Sequence, residues 1–268
     1  KYTKVKIMEA FAEFITENKN THMTHIEDKV LYGGVDGTRQ AINALRGLRD
    51  LLAGHGAGKV SVKWDGAPAV FCGTDPSDDK FFVAKKGIFN KNPMVYKTNA
   101  DIDADTSGDL NAKLKEALLY LPELGIVGVI QGDFLFGKGD VSTKVIEGQK
   151  YTSFHPNTIA YAVPFDQAKS VRDAKIGIVW HTTYKGDTFE TMTASYGVDV
   201  SKLTKSKNVW SQDAMLRDAT KATMSDKDTV EVNARLTEIG RLFKQTSAKT
   251  LKTLEASPKL AQAIETYN

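Results

Sequence analysis

The chain has 268 residues, of which 41% are apolar and 26% are charged, and its formal net charge is +3. This composition is typical of a globular protein with one large or two small domains, and it excludes a disordered, collagen-like or coiled-coil chain as the main plan. The mild basic excess is compatible with a phosphate-bearing ligand but is too small for a protein that only coats nucleic acid.

Two features of the sequence bear on its compartment. No run approaches the roughly 18 apolar residues of a membrane helix, and no signal peptide pattern opens the chain, so we expect no membrane partner. The single cysteine, Cys72, cannot form a disulfide within the chain or a cysteine-rich zinc site. We therefore expect a reducing, cytoplasmic compartment. We also expect the protein to be a monomer.

Residues 1–55 are expected to form an N-terminal helical segment, because apolar residues recur there at helical spacing. The first such stripe contains Ile7, Phe11, Phe14 and Ile15, and the second contains Ile42, Leu45, Leu48 and Leu52. Gly54 is a suitable residue to end the second helix.

Residues 56–200 are expected to form a β-rich core. Apolar and polar residues alternate from Lys59 to Trp64, which is typical of a half-buried strand. The predicted strands are 59–64, 69–72, 81–84, 128–136, 151–154, 158–163 and 176–184. Leucines at 110, 114, 118 and 121 predict one helix within this core, capped by Ser107 or Asp109.

Residues 201–268 are expected to form a separate or appended helical segment. This part contains one glycine after residue 200, Gly240, and one proline, Pro258. Its helical stripe is Val232, Leu236, Ile239 and Phe243.

The sharpest local motif is Lys63-Trp64-Asp65-Gly66, a lysine at the end of a predicted strand followed by a tight turn. Alone this motif is weak, and a surface lysine before a turn explains it better than a catalytic role does. Three later segments follow it in order. They are Phe81–Gly87 with Lys85 and Lys86, Val129–Phe134 with Gly132-Asp133, and Thr158–Val163 with Tyr161.

In this order the four segments resemble motifs I, Ia, III and IIIa of the covalent nucleotidyltransferases, the superfamily of ATP-dependent DNA ligases, RNA ligases and mRNA capping enzymes. The resemblance implies an α+β fold, the ligase adenylation domain, with mostly antiparallel sheets around an ATP cleft and flanking helices. It implies an ATP-dependent polynucleotide ligase that joins 5′-phosphate and 3′-hydroxyl ends of nicked or broken DNA or RNA.

The resemblance also implies a role for each matching residue. Lys63 would be the catalytic nucleophile that forms lysyl-AMP. Asp65, Gly66, Lys85, Lys86, Asp133 and Tyr161 would bind the nucleotide. Asp133 would meet a ribose hydroxyl or a Mg²⁺ ion, and Tyr161 would stack on the base.

Structural roles remain open for the same residues. Asp133 also suits the start of a turn, Tyr161 suits an ordinary core, and Lys85 and Lys86 suit a solvated strand end. His155 and His181 lie in the β-rich middle, where they either contact substrate or are buried with satisfied hydrogen bonds.

The sequence departs from the superfamily in two places. Pro68 stands where DNA ligases usually have arginine, and no segment after residue 164 resembles motif IV or motif V. The whole chain also resembles an uncharacterised ligase-like family of T4-like marine phages, whose longer members carry such segments. We therefore expect motifs IV and V to lie beyond residue 268, residues 201–268 to be an insertion before them, and the protein to act in the host cytoplasm.

Two other functions stay open. One is a ligase-derived nucleic-acid-binding or phage structural protein without turnover, which the missing motifs favour. The other is a capping-type guanylyltransferase.

Asp101, Asp103 and Asp105 resemble the start of a calcium-binding loop. Thr106 and Ala112 occupy the positions where such a loop needs glycine and glutamate, so no calcium site is expected.

Overall fold

The structure is a computed structural model that describes residues 25–56, 58–89, 92–257, 259–260 and 263–264. The stripe predicted from Ile7 to Ile15 lies outside these residues. The described chain divides into two compact units, one containing residues 25–61 and those from 218 onward, and the other containing residues 62–217.

The helices, in chain order, are α1 (Ile26–Tyr32), α2 (Gly34–Leu52), α3 (Asn99–Asp105), α4 (Gly108–Tyr120), α5 (Lys169–Asp173), α6 (Asp226–Gln245) and α7 (Ala248–Glu255). Short 3-10 turns are formed by Lys86–Phe89, Leu121–Leu124, Lys138–Asp140 and Val200–Lys202. Among the described residues, no helix combines the length and the apolar character needed to cross a membrane.

The strands, in chain order, are β1 (Ser61–Lys63), β2 (Ala69–Thr74), β3 (Phe81–Ala84), β4 (Val129–Gly137), β5 (Ser142–Ile146), β6 (Gln149–Phe154), β7 (Tyr161–Pro164), β8 (Ile176–Lys185), β9 (Thr193–Tyr196), β10 (Val209–Asp213) and β11 (Met215–Asp218). Strands β1 and β11 pair as a two-stranded sheet.

The main sheet of the second unit has the order β10-β8-β4-β2-β3, and β9 also pairs with β8. Its pairs are antiparallel except β10–β8, which is parallel. The parallel strand β10 adjoins the first half of β8, and β9 adjoins the second half. Strands β5, β6 and β7 follow β4 and precede β8 in the chain, and they form a separate three-stranded antiparallel sheet.

Apolar side chains cover both faces of the main sheet, which explains why Val70, Phe71 and Cys72 are consecutive buried residues. Val70 and Cys72 pack with Leu114 of α4 and with Trp180, whereas Phe71 belongs to a separate cluster on Phe82 and Tyr184. A third cluster joins Leu135, Phe136 and Val179 to the partly buried Trp64, Tyr161 and Trp210.

The structure confirms an α+β architecture with mostly antiparallel sheets and accompanying helices. Helix α4 and strands β3, β4, β6 and β8 lie where the sequence predicted them. The helices of the first unit come from both ends of the described chain: α2 and α6 share an apolar groove, and Arg49 Nη1 donates to Asn233 Oδ1 at 2.9 Å.

The predicted helical segment 201–268 requires correction in its first part. Residues 209–218 form β10 and β11, and the regular helices begin only at Asp226. Strand β10 forms because it pairs with β8. This pairing joins residues far apart in the chain, so the local spacing of apolar residues does not predict it. The polar region 90–109 also contains a helix, α3, whose start is capped by Thr98 and Asp101.

Candidate active site

The centre of the candidate site is an ion pair between Lys63 and Asp133. Lys63 ends β1, Asp133 lies within β4, and Lys63 Nζ is 2.8 Å from Asp133 Oδ2. The Lys63 side chain is 43% exposed, whereas that of Asp133 is 8% exposed. The lysine therefore remains accessible to a ligand while its carboxylate partner is held in the sheet. Two residues that the sequence predicted to work together do lie in contact.

The turn after Lys63 is held by hydrogen bonds from residues far along the chain. Tyr161 Oη accepts a hydrogen bond from Asp65 N at 2.8 Å and donates one to the Asp65 carbonyl oxygen at 3.0 Å. Asn157 Nδ2 donates to Asp65 Oδ2 at 2.7 Å. The Tyr161 ring lies 4.6 Å from the Trp64 ring, centroid to centroid. In this structure Tyr161 therefore supports the turn and packs against the protein's own tryptophan.

Gly66 allows this turn to pack against β4. A Cβ atom at Gly66 would lie 2.5 Å from the Phe134 carbonyl oxygen, closer than van der Waals contact permits. The same oxygen accepts a hydrogen bond from Ala67 N at 3.0 Å. The glycine expected to admit a nucleotide thus has a structural function, because it brings the Lys63 turn onto the strand that carries Asp133.

A second residue, His181, contacts Asp133 from the neighbouring strand. His181 Nε2 is 3.4 Å from Asp133 Oδ1, and His181 Nδ1 is 2.7 Å from Thr182 Oγ1. In the β4–β8 register Gln131 faces Thr182 and Gly132 faces Trp180, so His181 is the extra residue of a β-bulge. Bulges commonly redirect a side chain beside a functional site.

The only sequence signal for His181 is its position at the end of the apolar run Ile176–Trp180, followed by two threonines. A single polar interruption of a strand has many explanations. The sequence therefore allowed two roles for His181, contact with a substrate or burial with satisfied hydrogen bonds. The bulge in β8 brings His181 into contact with Asp133.

The electrostatics of the site favour a charged Lys63. Burial alone would lower the pKa of Lys63, but the hydrogen bond and negative charge of Asp133, together with Asp65 at 3.4 Å, raise the pKa above its ordinary value. Burial would likewise raise the pKa of Asp133, but hydrogen bonds from His181 and Lys63 lower it overall. The two groups therefore form an ammonium–carboxylate pair at neutral pH.

Lys85 and Lys86 do not join this cluster. Lys85 Nζ is 2.8 Å from Asp105 Oδ2 of α3, and the hydrogen bond to Asp105 is the main cause of its raised pKa. Tyr96 Oη donates to the same Asp105 oxygen. Lys86 is exposed at the start of a 3-10 turn. In the described part of the chain, neither lysine makes a hydrogen bond or ion pair with Lys63 or Asp133.

Asp65 and Asp133 are the carboxylates that could meet a metal ion at this site. Both lie within ion-pair distance of the Lys63 ammonium. The described residues include no group of three or more His, Cys, Asp or Glu side chains arranged to hold a metal. Mg²⁺ bound through substrate phosphates commonly uses only one or two protein carboxylates.

Comparison with known proteins identifies a family for the chain. No curated protein and no solved structure is similar enough to match the chain. The model of DUF6267, described as a family of unknown function, matches residues 20–268. Because this match covers far more than half of the sequence, the chain belongs to the DUF6267 family.

Proposed function

We propose that the second unit has a nucleotidyltransferase fold and that the protein is an ATP-dependent polynucleotide ligase acting through a Lys63–AMP intermediate. One observation carries this proposal: the 2.8 Å contact between Lys63 Nζ and Asp133 Oδ2. These residues come from two of the four segments that resemble the superfamily motifs and are 70 positions apart. Their contact supports the proposal because it brings the expected lysine nucleophile next to the carboxylate expected to bind the nucleotide.

The first chemical step would join Lys63 to the α-phosphorus of ATP. Lys63 Nζ loses a proton, its lone pair forms the N–P bond, and the bond from phosphorus to the pyrophosphate oxygen breaks. Asp133 Oδ2, already at hydrogen-bond distance, is the nearest proton acceptor among the described residues. Mg²⁺ bound to the triphosphate would neutralise charge on the leaving group, with Asp65 and Asp133 as its protein contacts.

The later steps would transfer the adenylyl group to a nucleic-acid end. The 5′-phosphate of a DNA or RNA strand attacks the Lys63-bound phosphorus and releases the lysine. A 3′-hydroxyl then attacks the activated 5′-phosphate, which forms the phosphodiester and releases AMP. Joining the two ends therefore consumes one ATP and releases pyrophosphate and AMP.

A second candidate is a nucleic-acid-binding protein that keeps this site without turnover. The observation that favours it is the raised pKa of Lys63, because an ammonium group has no lone pair with which to attack phosphorus. In this alternative the Lys63–Asp133 pair is a structural ion pair that fixes the turn after β1.

The test is the intact mass of the protein after incubation with ATP and Mg²⁺. We expect a gain of about 329 Da, the adenylyl increment of a lysine intermediate, which is lost in Lys63→Ala and kept in Lys185→Ala, a control at the exposed end of β8. GTP in place of ATP tests the capping-type alternative. A gain only in a longer natural form of the protein would place motifs IV and V beyond residue 268. No gain in either form would reject the ligase and favour the binding protein.

A further inference from the structure

We infer that a groove along strand β10 is a binding site for the sugar-phosphate backbone of a polynucleotide. This inference deepens the proposed function and rests on it for the choice of ligand. The groove has a volume of about 1070 Å³ and lies within residues 62–217. That volume is slightly above the roughly 300–1,000 Å³ of small-molecule sites, which favours an extended ligand.

The charge of the groove is the first argument. Its lining includes four lysines, Lys138, Lys169, Lys205 and Lys207, against one aspartate, Asp173. The formal charge of this lining is therefore +3, from four positive groups and one negative group, which equals the net charge of the whole chain. A chain with little overall basic bias thus concentrates positive charge along one groove, as phosphate binding requires.

The loop that presents Lys205 and Lys207 is held in place by its other residues. Thr204 N donates to the Leu124 carbonyl oxygen at 2.8 Å, Ser206 Oγ donates to the Glu123 carboxylate, and Asn208 Nδ2 donates to Glu123 Oε1 at 2.9 Å. Ser206 is half-buried, whereas the lysines on either side are exposed. The loop therefore projects two ammonium groups from a fixed backbone, which reduces the entropy lost when they bind.

The partners of these lysines also point to an external anion. Lys169 is paired with Asp173, and Lys138 donates to the Arg172 carbonyl oxygen at 2.7 Å. Lys205 and Lys207 have no ion pair with the acidic side chains of the described residues, so their charges are available for a ligand. Ser170 and Gln212, which are exposed, add a hydroxyl and an amide donor to the same lining.

An aromatic path connects this groove with the Lys63 turn. Trp210 lines the groove, and its ring lies 5.8 Å from that of Trp64, edge to face. Trp64 directly follows Lys63. The Lys63 turn and the groove therefore share one aromatic cluster, and the partly buried Trp210 offers a surface for base stacking, as in sequence-tolerant single-strand binding.

The alternative occupant is an acidic peptide added to the edge of the sheet. Strand β10 ends the strand order of the main sheet, so an extended peptide has an edge to pair with. The lining favours the polynucleotide, because Lys205 and Lys207 can bind phosphates and Trp210 can stack on a base. Addition of a peptide strand would need only backbone groups and alternating pockets.

The experiment measures binding of labelled 20-nucleotide single-stranded DNA and RNA by fluorescence anisotropy, without ATP, between 50 and 200 mM salt. The variant is Lys205→Ala/Lys207→Ala. The matched control, Lys80→Ala/Lys185→Ala, removes two exposed lysines of the same unit outside the groove. We expect about tenfold weaker binding in the groove variant, with a salt slope lower by about 1.4, since each phosphate contact contributes about 0.7 for a single strand. We expect the control to bind like the original protein.

Equal affinity and salt slope in both variants would overturn the inference. Binding of a polyglutamate peptide with no binding of either nucleic acid would also overturn it and identify the groove as a peptide site. Because the assay contains no ATP, it separates the two proposals: loss of binding in the groove variant supports the groove even if Lys63 is never adenylylated. The DNA and RNA arms identify which polymer the groove prefers.

Discussion

At the scale of single residues, the chemistry of the site depends on what Asp133 does to Lys63. A lysine nucleophile must be neutral when it attacks, yet the structure surrounds Lys63 with Asp65 and Asp133 and so favours its charged form. The same pair orients the amine at the exposed turn. Under the ligase proposal, Lys63 must therefore lose its proton before it attacks, with Asp133 as the acceptor. Because the neutral fraction of the amine increases with pH, adenylylation should become faster as the pH rises.

The substitution Asp133→Asn should lower the pKa of Lys63. Removing this carboxylate leaves the lowering effect of burial opposed mainly by Asp65, so the amine titrates at lower pH than in the unchanged protein. The measurement is the NMR titration of ¹³C-methylated lysines. The matched control is Asp105→Asn, which should lower the pKa of Lys85 and leave that of Lys63 unchanged. A Lys63 titration unaffected by Asp133→Asn would contradict the ion pair.

At the scale of elements, the β4–β8 pair determines the geometry of the site. Asp133 faces Val179 in the register, and the bulged residue His181 then contacts Asp133 from the side. Gly132 makes this close pairing possible, because a Cβ there would lie 2.3 Å from the Val179 carbonyl oxygen and 2.7 Å from the Trp180 ring. The Gly-Asp pair that the sequence resemblance singled out thus has a packing role beside its chemical one.

The substitution Gly132→Ala should destabilise the protein by about 1–3 kcal/mol, the usual cost of overpacking a core, because the new methyl group meets backbone that cannot move freely. Urea unfolding measures this loss. Gly139→Ala is the control, since a Cβ at Gly139 meets nothing within 4 Å, and it should change stability by less than about 0.5 kcal/mol. Equal midpoints for the two variants would mean that the β4–β8 pairing is looser than the structure shows.

At the scale of the whole molecule, the first compact unit is assembled from two segments distant in sequence, residues 25–61 and those from 218 onward. Helices α2 and α6 line one apolar groove of the first unit with Leu45, Leu48 and Leu52 on one side and Val232, Leu236 and Ile239 on the other. The two helical segments expected as separate parts of the chain therefore contribute to one unit. Their apolar stripes have the spacing that such packing requires.

The substitution Leu236→Ala should destabilise the first unit by about 2–5 kcal/mol, because it removes a buried side chain from the α2–α6 contact. Hydrogen exchange should then accelerate in α2 as well as in α6. Leu242→Ala on the same helix is the control, because Leu242 is 49% exposed and its loss should leave exchange nearly unchanged. Acceleration confined to α6 would contradict the shared core.

The sequence by itself determined the features that depend on neighbouring residues. Period-3.6 leucine spacing predicted α4, and alternating or continuous apolar runs predicted β3 and β4. The order of the motifs assigned Lys63 and Asp133 to one candidate site, but it did not predict their direct contact. Local patterns succeed here because a helix or strand must bury the face that its own residues make apolar.

Only the tertiary structure decided the features that depend on distant pairing. Lys85 binds Asp105 rather than joining Lys63, Tyr161 supports the backbone of Asp65, and His181 reaches Asp133 through a bulge. Strand β10 likewise exists through its pairing with β8. The partner of a polar side chain depends on strand register and on which elements, far apart in the chain, pack together. The residues adjacent to that side chain in sequence therefore do not predict its partner.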